Sequence, residues 1–463
     1  MSRSIFVVLG LMLSGTLCAQ EGYNIEVEIE GLAGEEAYLG YHLGEGKYIE
    51  DTAQLLNGKA VFKGADPLNH GIYFLYTPEY FLEFVITDEQ HFKLASDTKE
   101  PLLNKNIMGS PENELFKTFQ VNMAKTQGGS ADLRERLSEA KTREDTTKIY
   151  DQIDALSEAN RVFQDSLAAS NPESYVAKLL TLIRKPETVE APDSLNNSEA
   201  KQYRFNAYKD EFFKGVDFNY AGYLRTPLFH DRIMEYIEDL TSPEPDSVIK
   251  ELDFLLSKAD QNEDVFRYIL VNFTNRYAQP KLMGDDGVFV HLAENYYLTG
   301  KANWADEEML KGFKKAVEEL KPNLIGQPAP PLELLDTTNN QVSLNDIQAK
   351  YTVLFFYDPE CGHCKKQTPI VLEFYHKFQS VGVELLGVCV PTDRKKWIDY
   401  INERSLDWVN LADPYVESNF RKEYNIKSFP TIYVLDEDKN IIAKRIGAEQ
   451  LDDFINARIR AGY

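Results

Sequence analysis

Cysteine is scarce in this chain: there are four in 463 residues, Cys18, Cys361, Cys364 and Cys389. So few cannot staple a disulfide scaffold, and a single Cys-x-x-Cys excludes paired zinc knuckles. Long apolar runs are missing too. Ile5 to Leu13 is too short to cross a bilayer, and no other stretch is apolar enough to try. Positive charge is outnumbered, with 50 Lys and Arg against 74 Asp and Glu, a net of −24. Nucleic-acid phosphates and anionic membrane surfaces would repel such a chain, so neither is expected as a partner. The imbalance is uneven: 16 Lys and Arg face 20 Asp and Glu from Ile325 onward, net −4, so the remaining −20 lies upstream. Aromatic residues, by contrast, are plentiful, with 26 Tyr and 26 Phe, which excludes global disorder. The length exceeds what one core supports and implies about three domains.

The order of patterns supplies their boundaries. Residues 1–19 carry the three parts of a secretory signal: Arg3, the apolar Ile5 to Leu13, and small or mild residues up to Ala19. Cys18 fits a lipid anchor poorly, because the bulky Leu17 precedes it. An exported chain would work where disulfides form, in the periplasm or cell envelope. Over 20–100 the pattern has period two. Ile25, Val27 and Ile29 alternate with Glu26, Glu28 and Glu30, and turn signals such as Asn57-Gly58 separate further short runs. An antiparallel β sandwich or barrel is expected there. No site chemistry stands out in it, so an attachment domain is the simpler reading and a ligand-binding module the alternative. From 105 to 321 the pattern is helical. It starts at Ser110-Pro111, carries apolar stripes such as Val265, Ile269, Phe273 and Tyr277, and is broken at Asn171-Pro172, Ser242 to Pro245 and Gln279-Pro280. Pro322 to Pro331 holds four prolines and a glycine and marks a boundary. Beyond it, over 325–463, strands and helices alternate, so the expected fold class there is α/β. The expected elements are strands at Tyr351 to Tyr357 and Val383 to Val390, helices at Lys365 to Gln379, Asp393 to Arg404 and Tyr415 to Tyr424, and a hairpin over Thr431 to Ile446.

Chemistry concentrates at Tyr357-Asp358-Pro359-Glu360-Cys361-Gly362-His363-Cys364-Lys365-Lys366. A buried strand runs into a sharp turn, and a helix begins at the cysteine pair. The unpaired N–H groups of a helix N-terminus favour an anion, so Cys361 forms a thiolate more easily there. The thiolate is the nucleophile of disulfide exchange, and Cys364, one turn on, can close back onto Cys361. Other readings fit less well. A c-type haem needs His directly after the second cysteine, where Lys365 stands. A metal held by Cys361, His363 and Cys364 lacks further ligands nearby. Asp436 to Asn440 starts like a calcium loop, but Ile441 and Gly447 occupy the places that need Gly and Glu. No cofactor and no metal are expected. Cys389, in the apolar run Leu385 to Val390, reads as a core residue; a third redox thiol is the sharper alternative.

These residues resemble the thioredoxin-like superfamily, and within it the exported TlpA/ResA-like branch. The resemblance covers Ile325 to Tyr463. It rests on Ile325-Gly326-Gln327-Pro328-Ala329-Pro330, the strand into Cys361-Gly362-His363-Cys364, the Lys365-Lys366 helix with Pro369, the strand Leu385 to Val390, and Ser428-Phe429-Pro430-Thr431 before a hairpin. Upstream, the β and helical domains resemble more loosely those of exported thioredoxin-like proteins of Bacteroidetes-type bacteria. The resemblance implies a cis Phe429–Pro430 bond facing the sulfurs, with the Phe429 backbone pairing an extended substrate peptide. It also exposes departures. Glu360 stands where an aromatic ring is usual, and its charge would oppose the Cys361 thiolate. His363, as in the CGHC of disulfide isomerases, would favour that thiolate and a more oxidising couple, roughly −180 mV against −270 mV for thioredoxin. The sequence leaves the balance of Glu360, Gly362 and His363 on Cys361 open. Phe355 and Gln367 stand where thioredoxins and ResA-like proteins place a carboxylate, so no proton acceptor for Cys364 is evident.

The expected function is that of an exported thiol–disulfide oxidoreductase, reductase or isomerase, with Cys361 as nucleophile and Cys364 as resolving thiol. Its partners would be proteins with disulfides or thiols, together with a membrane electron donor if it works as a reductase. A rival from another class is a binding or assembly protein whose upstream acidic domains do the work beside a largely idle thioredoxin-like domain.

Overall fold

The computed structural model describes residues 22–462. The leader expected over residues 1–19, and Cys18 within it, lie outside the described residues. Packing divides the chain into two units, residues 1–240 and 241–463.

In the first unit the alternation of Ile25, Val27 and Ile29 with glutamates makes β1 (Tyr23–Glu30), whose apolar face is buried. It is followed by β2 (Glu36–Leu43), β3 (Gly46–Gln54), β4 (Lys59–Gly64), β5 (Gly71–Thr77), β6 (Tyr80–Ile86), β7 (His91–Asp97) and β8 (Asn106–Met108). They form two four-stranded sheets, ordered β4-β1-β7-β8 and β3-β2-β5-β6. Side chains from both, including Ile25, Phe62, Leu94, Leu39, Leu75 and Phe84, share one core, so the architecture is a sandwich. All pairings are antiparallel except β1 with β7. β7 returns to its sheet only after the chain has built the other one, so no hairpin fixes its direction. Helices α1 (Pro111–Glu139), α2 (Arg143–Ser170), α3 (Tyr175–Ile183), α4 (Asn197–Asp210) and α5 (Pro227–Glu238) complete the unit. Phe116 and Phe119 of α1 and Val176 and Leu179 of α3 pack on Ile72 and Val85 of the sandwich. Ser110 does sit at the N-cap of α1, but its hydroxyl makes no cap; it accepts from the Asn113 amide at 3.0 Å instead.

The second unit begins with α6 (Pro245–Lys258), α7 (Glu263–Tyr277), α8 (Asp285–Leu292) and α9 (Glu307–Leu320). The stripe Val265, Ile269, Phe273 and Tyr277 is the buried face of α7. The α/β part follows as β9 (Glu333–Asp336), β10 (Gln341–Ser343), β11 (Tyr351–Tyr357), α10 (Gly362–Phe378), β12 (Val383–Cys389), α11 (Arg394–Arg404), β13 (Val409–Ala412), α12 (Phe420–Glu423), β14 (Thr431–Leu435), β15 (Ile441–Lys444) and α13 (Leu451–Arg460). The seven strands make one mixed sheet, β10-β9-β13-β12-β11-β14-β15. β11, β12 and β13 run parallel, and β14 lies antiparallel on the other side of β11. Residues of β11 alternate between two cores: Val353, Phe355 and Tyr357 face α10, α11 and α13, while Leu354 and Phe356 face the cluster of Phe420 and Tyr424. A strand covered on both faces reads as an unbroken apolar run, as this one does.

Two sequence expectations change here. The helix expected over Tyr415 to Tyr424 is reduced to Phe420–Glu423. The Asp413 carboxylate takes the backbone N–H groups of Glu417 and Ser418 together with the Arg421 guanidinium, which holds the preceding residues in a loop. β13 was not foreseen. Among the described residues no helix is long and apolar enough to cross a membrane.

Candidate active site

β11 ends at the centre of the mixed sheet, between β12 on one side and β14 on the other. The turn after its C-terminal end leads into α10, and open α/β sheets place their sites beyond the carboxyl ends of their strands. Asp358, Pro359 and Glu360 make the turn. The Cys361 N–H donates to the Asp358 carbonyl at 3.1 Å, and the Glu360 N–H donates to Asp358 Oδ1 at 2.8 Å. Cys361 is the N-cap of α10, and its own carbonyl accepts the first helical bond, from the Lys365 N–H at 3.1 Å.

This placement splits the two thiols. Cys361 is half-buried, and its pKa is lowered, chiefly by the Cys364 backbone N–H and further by the His363 N–H and the Cys364 thiol. Partial burial and the Asp358 charge oppose that lowering. Cys364 is fully buried, and burial pushes its thiol up to about 12, with the Asp358 N–H at 3.5 Å from its sulfur giving a partial offset. Both are free thiols. The Cys361 thiol donates to the Phe429 carbonyl at 3.6 Å, and the Phe429–Pro430 peptide is cis, as the resemblance implies.

The floor of the site is aromatic. Phe355 stacks on Tyr357 with centroids 5.4 Å apart, and Tyr357 stacks on Tyr400 at 5.3 Å. Thr368 Oγ1 donates to the Cys364 carbonyl at 2.8 Å and lies 2.7 Å from the Tyr400 hydroxyl. Cys389 sits on β12 in register with Tyr357, fully buried, its thiol donating to the Pro391 carbonyl at 3.6 Å. Burial, followed by the Asp358 charge, pushes that thiol far up.

The structure thus brings Cys361, Cys364, Phe429 and Pro430 together. Glu360 is exposed and pairs with Lys396 Nζ of α11 at 2.7 Å. The carboxylate whose charge acts on Cys361 is Asp358, a residue the sequence reading did not select. A charged side chain at the very end of a wholly buried strand was the available signal. Gly362 is exposed, and a side chain there would meet nothing within 4 Å, so no close contact requires a glycine. His363 is exposed and reaches Cys361 through its backbone N–H.

Residues 325–444 match the AhpC/TSA family. The C-terminal region is an AhpC/TSA thioredoxin-like domain. Residues 23–116 match a domain of unknown function, DUF4369. Among curated proteins the chain is similar to the thiol-disulfide oxidoreductase ResA of Bacillus cereus, 24% identical over 150 residues, covering 32% of this chain and 84% of that protein. Among solved structures, a domain of a possible thiol-disulfide isomerase from Cytophaga hutchinsonii is 38% identical over 30% of this chain and 95% of its own, with a TM-score of 0.29. A thioredoxin-like protein from Bacteroides caccae covers 59% of this chain and 99% of its own, at 16% identity and a TM-score of 0.43.

Proposed function

We propose that this chain is an exported thiol–disulfide oxidoreductase that exchanges disulfides with other proteins. The observation that carries this is the division of labour between the two thiols. Cys361 is reachable and disposed to ionise at a helix N-terminus, while Cys364 is sealed and held protonated by burial. The Cys361 thiolate attacks a substrate disulfide. One substrate sulfur leaves, and a mixed disulfide forms. Cys364 then attacks Cys361, closing the Cys361–Cys364 bond and expelling the second substrate sulfur. Two electrons pass from the cysteine pair to the substrate; the reverse sequence oxidises a substrate dithiol. Ionisation of Cys361 removes the proton it donates to the Phe429 carbonyl, which frees that carbonyl to accept from the backbone of an extended substrate peptide. The same stabilisation of the Cys361 thiolate favours the reduced pair and makes the couple more oxidising. Export rests on the leader pattern of residues 1–19, and acting as a reductase in such a compartment requires a membrane electron donor.

Trapping tests the proposal. In Cys364→Ala the mixed disulfide has no resolving thiol, so disulfide-linked partners accumulate and are released by dithiothreitol. In Cys361→Ser both trapping and insulin reduction are lost. A binding or assembly protein would yield no thiol-sensitive adducts from Cys364→Ala.

A further inference from the structure

Resolution of the mixed disulfide poses a proton problem. A thiol held at about 12 is ionised only to about one part in 100,000 at pH 7, so Cys364 needs a group to take its proton. The places suggested by the resemblance hold Phe355, which is stacked in the core, and Gln367, neither of which is a base. Glu360 is turned out to Lys396.

We propose that the Asp358 carboxylate accepts the proton of Cys364 when the mixed disulfide is resolved. The assignment rests on the proposed exchange reaction. Three observations carry it. The Asp358 backbone N–H lies against the Cys364 sulfur at 3.5 Å, which places the residue at the reacting atom. Its Oδ1 is fixed by the Glu360 N–H at 2.8 Å, so the carboxylate is held within the active-site turn rather than swept into solvent, and it is half-buried. Its charge is felt by Cys361 and Cys364 at the start of α10, by Cys389 on β12 and by Lys396 on α11. In the step, the proton passes from Cys364 Sγ to Asp358. The Cys364 sulfur attacks Cys361, the Cys361–Cys364 bond forms, and the bond between Cys361 and the substrate sulfur breaks. Its electron pair leaves on the substrate sulfur, which is then reprotonated from Asp358 or solvent.

Two-phase reaction with 5,5′-dithiobis(2-nitrobenzoate) tests this on the full chain. Attack by Cys361 releases the first thionitrobenzoate, and resolution by Cys364 releases the second, so the second phase reads the step directly. The wild-type second phase is expected to be nearly flat between about pH 6 and 8, because the proton acceptor is supplied by the protein rather than by hydroxide. Asp358→Asn keeps an oxygen for the Glu360 N–H. It is expected to slow the second phase about 100-fold at pH 7, with a rate that climbs about tenfold per pH unit. Asp358→Glu recovers part of the loss. The sign decides the matter, because removing a nearby negative charge on its own eases ionisation of Cys364. A second phase as fast as or faster than wild type in Asp358→Asn overturns the proposal. Absence of a second phase in the wild type would instead overturn the exchange reading.

Discussion

The sandwich of the first unit and the mixed sheet of the second are both closed by apolar cores, yet they treat buried charge differently. In the first, Lys105 is fully buried. Its ammonium meets the Glu83 carbonyl, the Gln120 side-chain oxygen and the face of Phe116, and burial pushes its pKa down to about 7. In the second, Lys444 of β15 is equally enclosed but is paired with Asp286 of α8 and accepted by the Asn323 carbonyl at 2.9 Å. That pair ties α8 to the edge of the sheet that carries the cysteines. Burial pushes the pKa of both lysines down, but in the second unit the paired Asp286 opposes that shift, whereas in the first no carboxylate among the described residues is paired with Lys105. Cys364 obeys the same rule with the opposite sign: burial holds it neutral by keeping the proton on.

The largest expected effect in this comparison comes from Asp286→Ala, which leaves the Lys444 ammonium buried without its counter-ion. It should cost about 3–5 kcal/mol, seen as a lower denaturant midpoint for the second unit. Replacing both partners by Lys444→Met and Asp286→Leu should be close to neutral or stabilising. A loss under 1 kcal/mol in the single variant would show that the pair is solvated in practice.

The smaller effect concerns Lys105. Its folded pKa lies below its unfolded value, so between about pH 7 and 10.5 the unfolded chain binds more protons than the folded one. Stability of the first unit should therefore rise with pH across that window. The penalty of the charged lysine is fully present below pH 7 and is relieved above it. Thermal melts of wild type and Lys105→Met at several pH values check this, and the slope should vanish in the variant. A slope of the same size in Lys105→Met would assign it to other groups.

Much of the second unit was legible because burial on both faces leaves a strong mark. The run Tyr351 to Tyr357 is β11 residue for residue, and Thr431 to Leu435 is β14. Exposed or very short elements left little trace. β3 is a mostly exposed edge strand with no apolar alternation, and β13 is four residues interrupted by Asn410. Three of the four site elements came from local sequence: the helix N-terminus, the cysteine spacing and the proline. Asp358 did not, since its importance lies in where three sulfurs converge, and register across β11 and β12 brings Cys389 there. Glu360 was read as a neighbour of Cys361 along the chain, but the turn points it at Lys396 on another helix.

The central claim is that one fold element splits two neighbouring cysteines into a ready nucleophile and a sealed resolving thiol. Alkylation of the reduced protein with iodoacetamide, followed residue by residue by mass spectrometry from pH 5 to 11, tests it most directly. Cys361 should react first, with a midpoint below the ordinary thiol value, while Cys364 stays unmodified until the pH approaches about 12. Equal labelling of both at the ordinary thiol midpoint, or labelling of Cys364 ahead of Cys361, would contradict it.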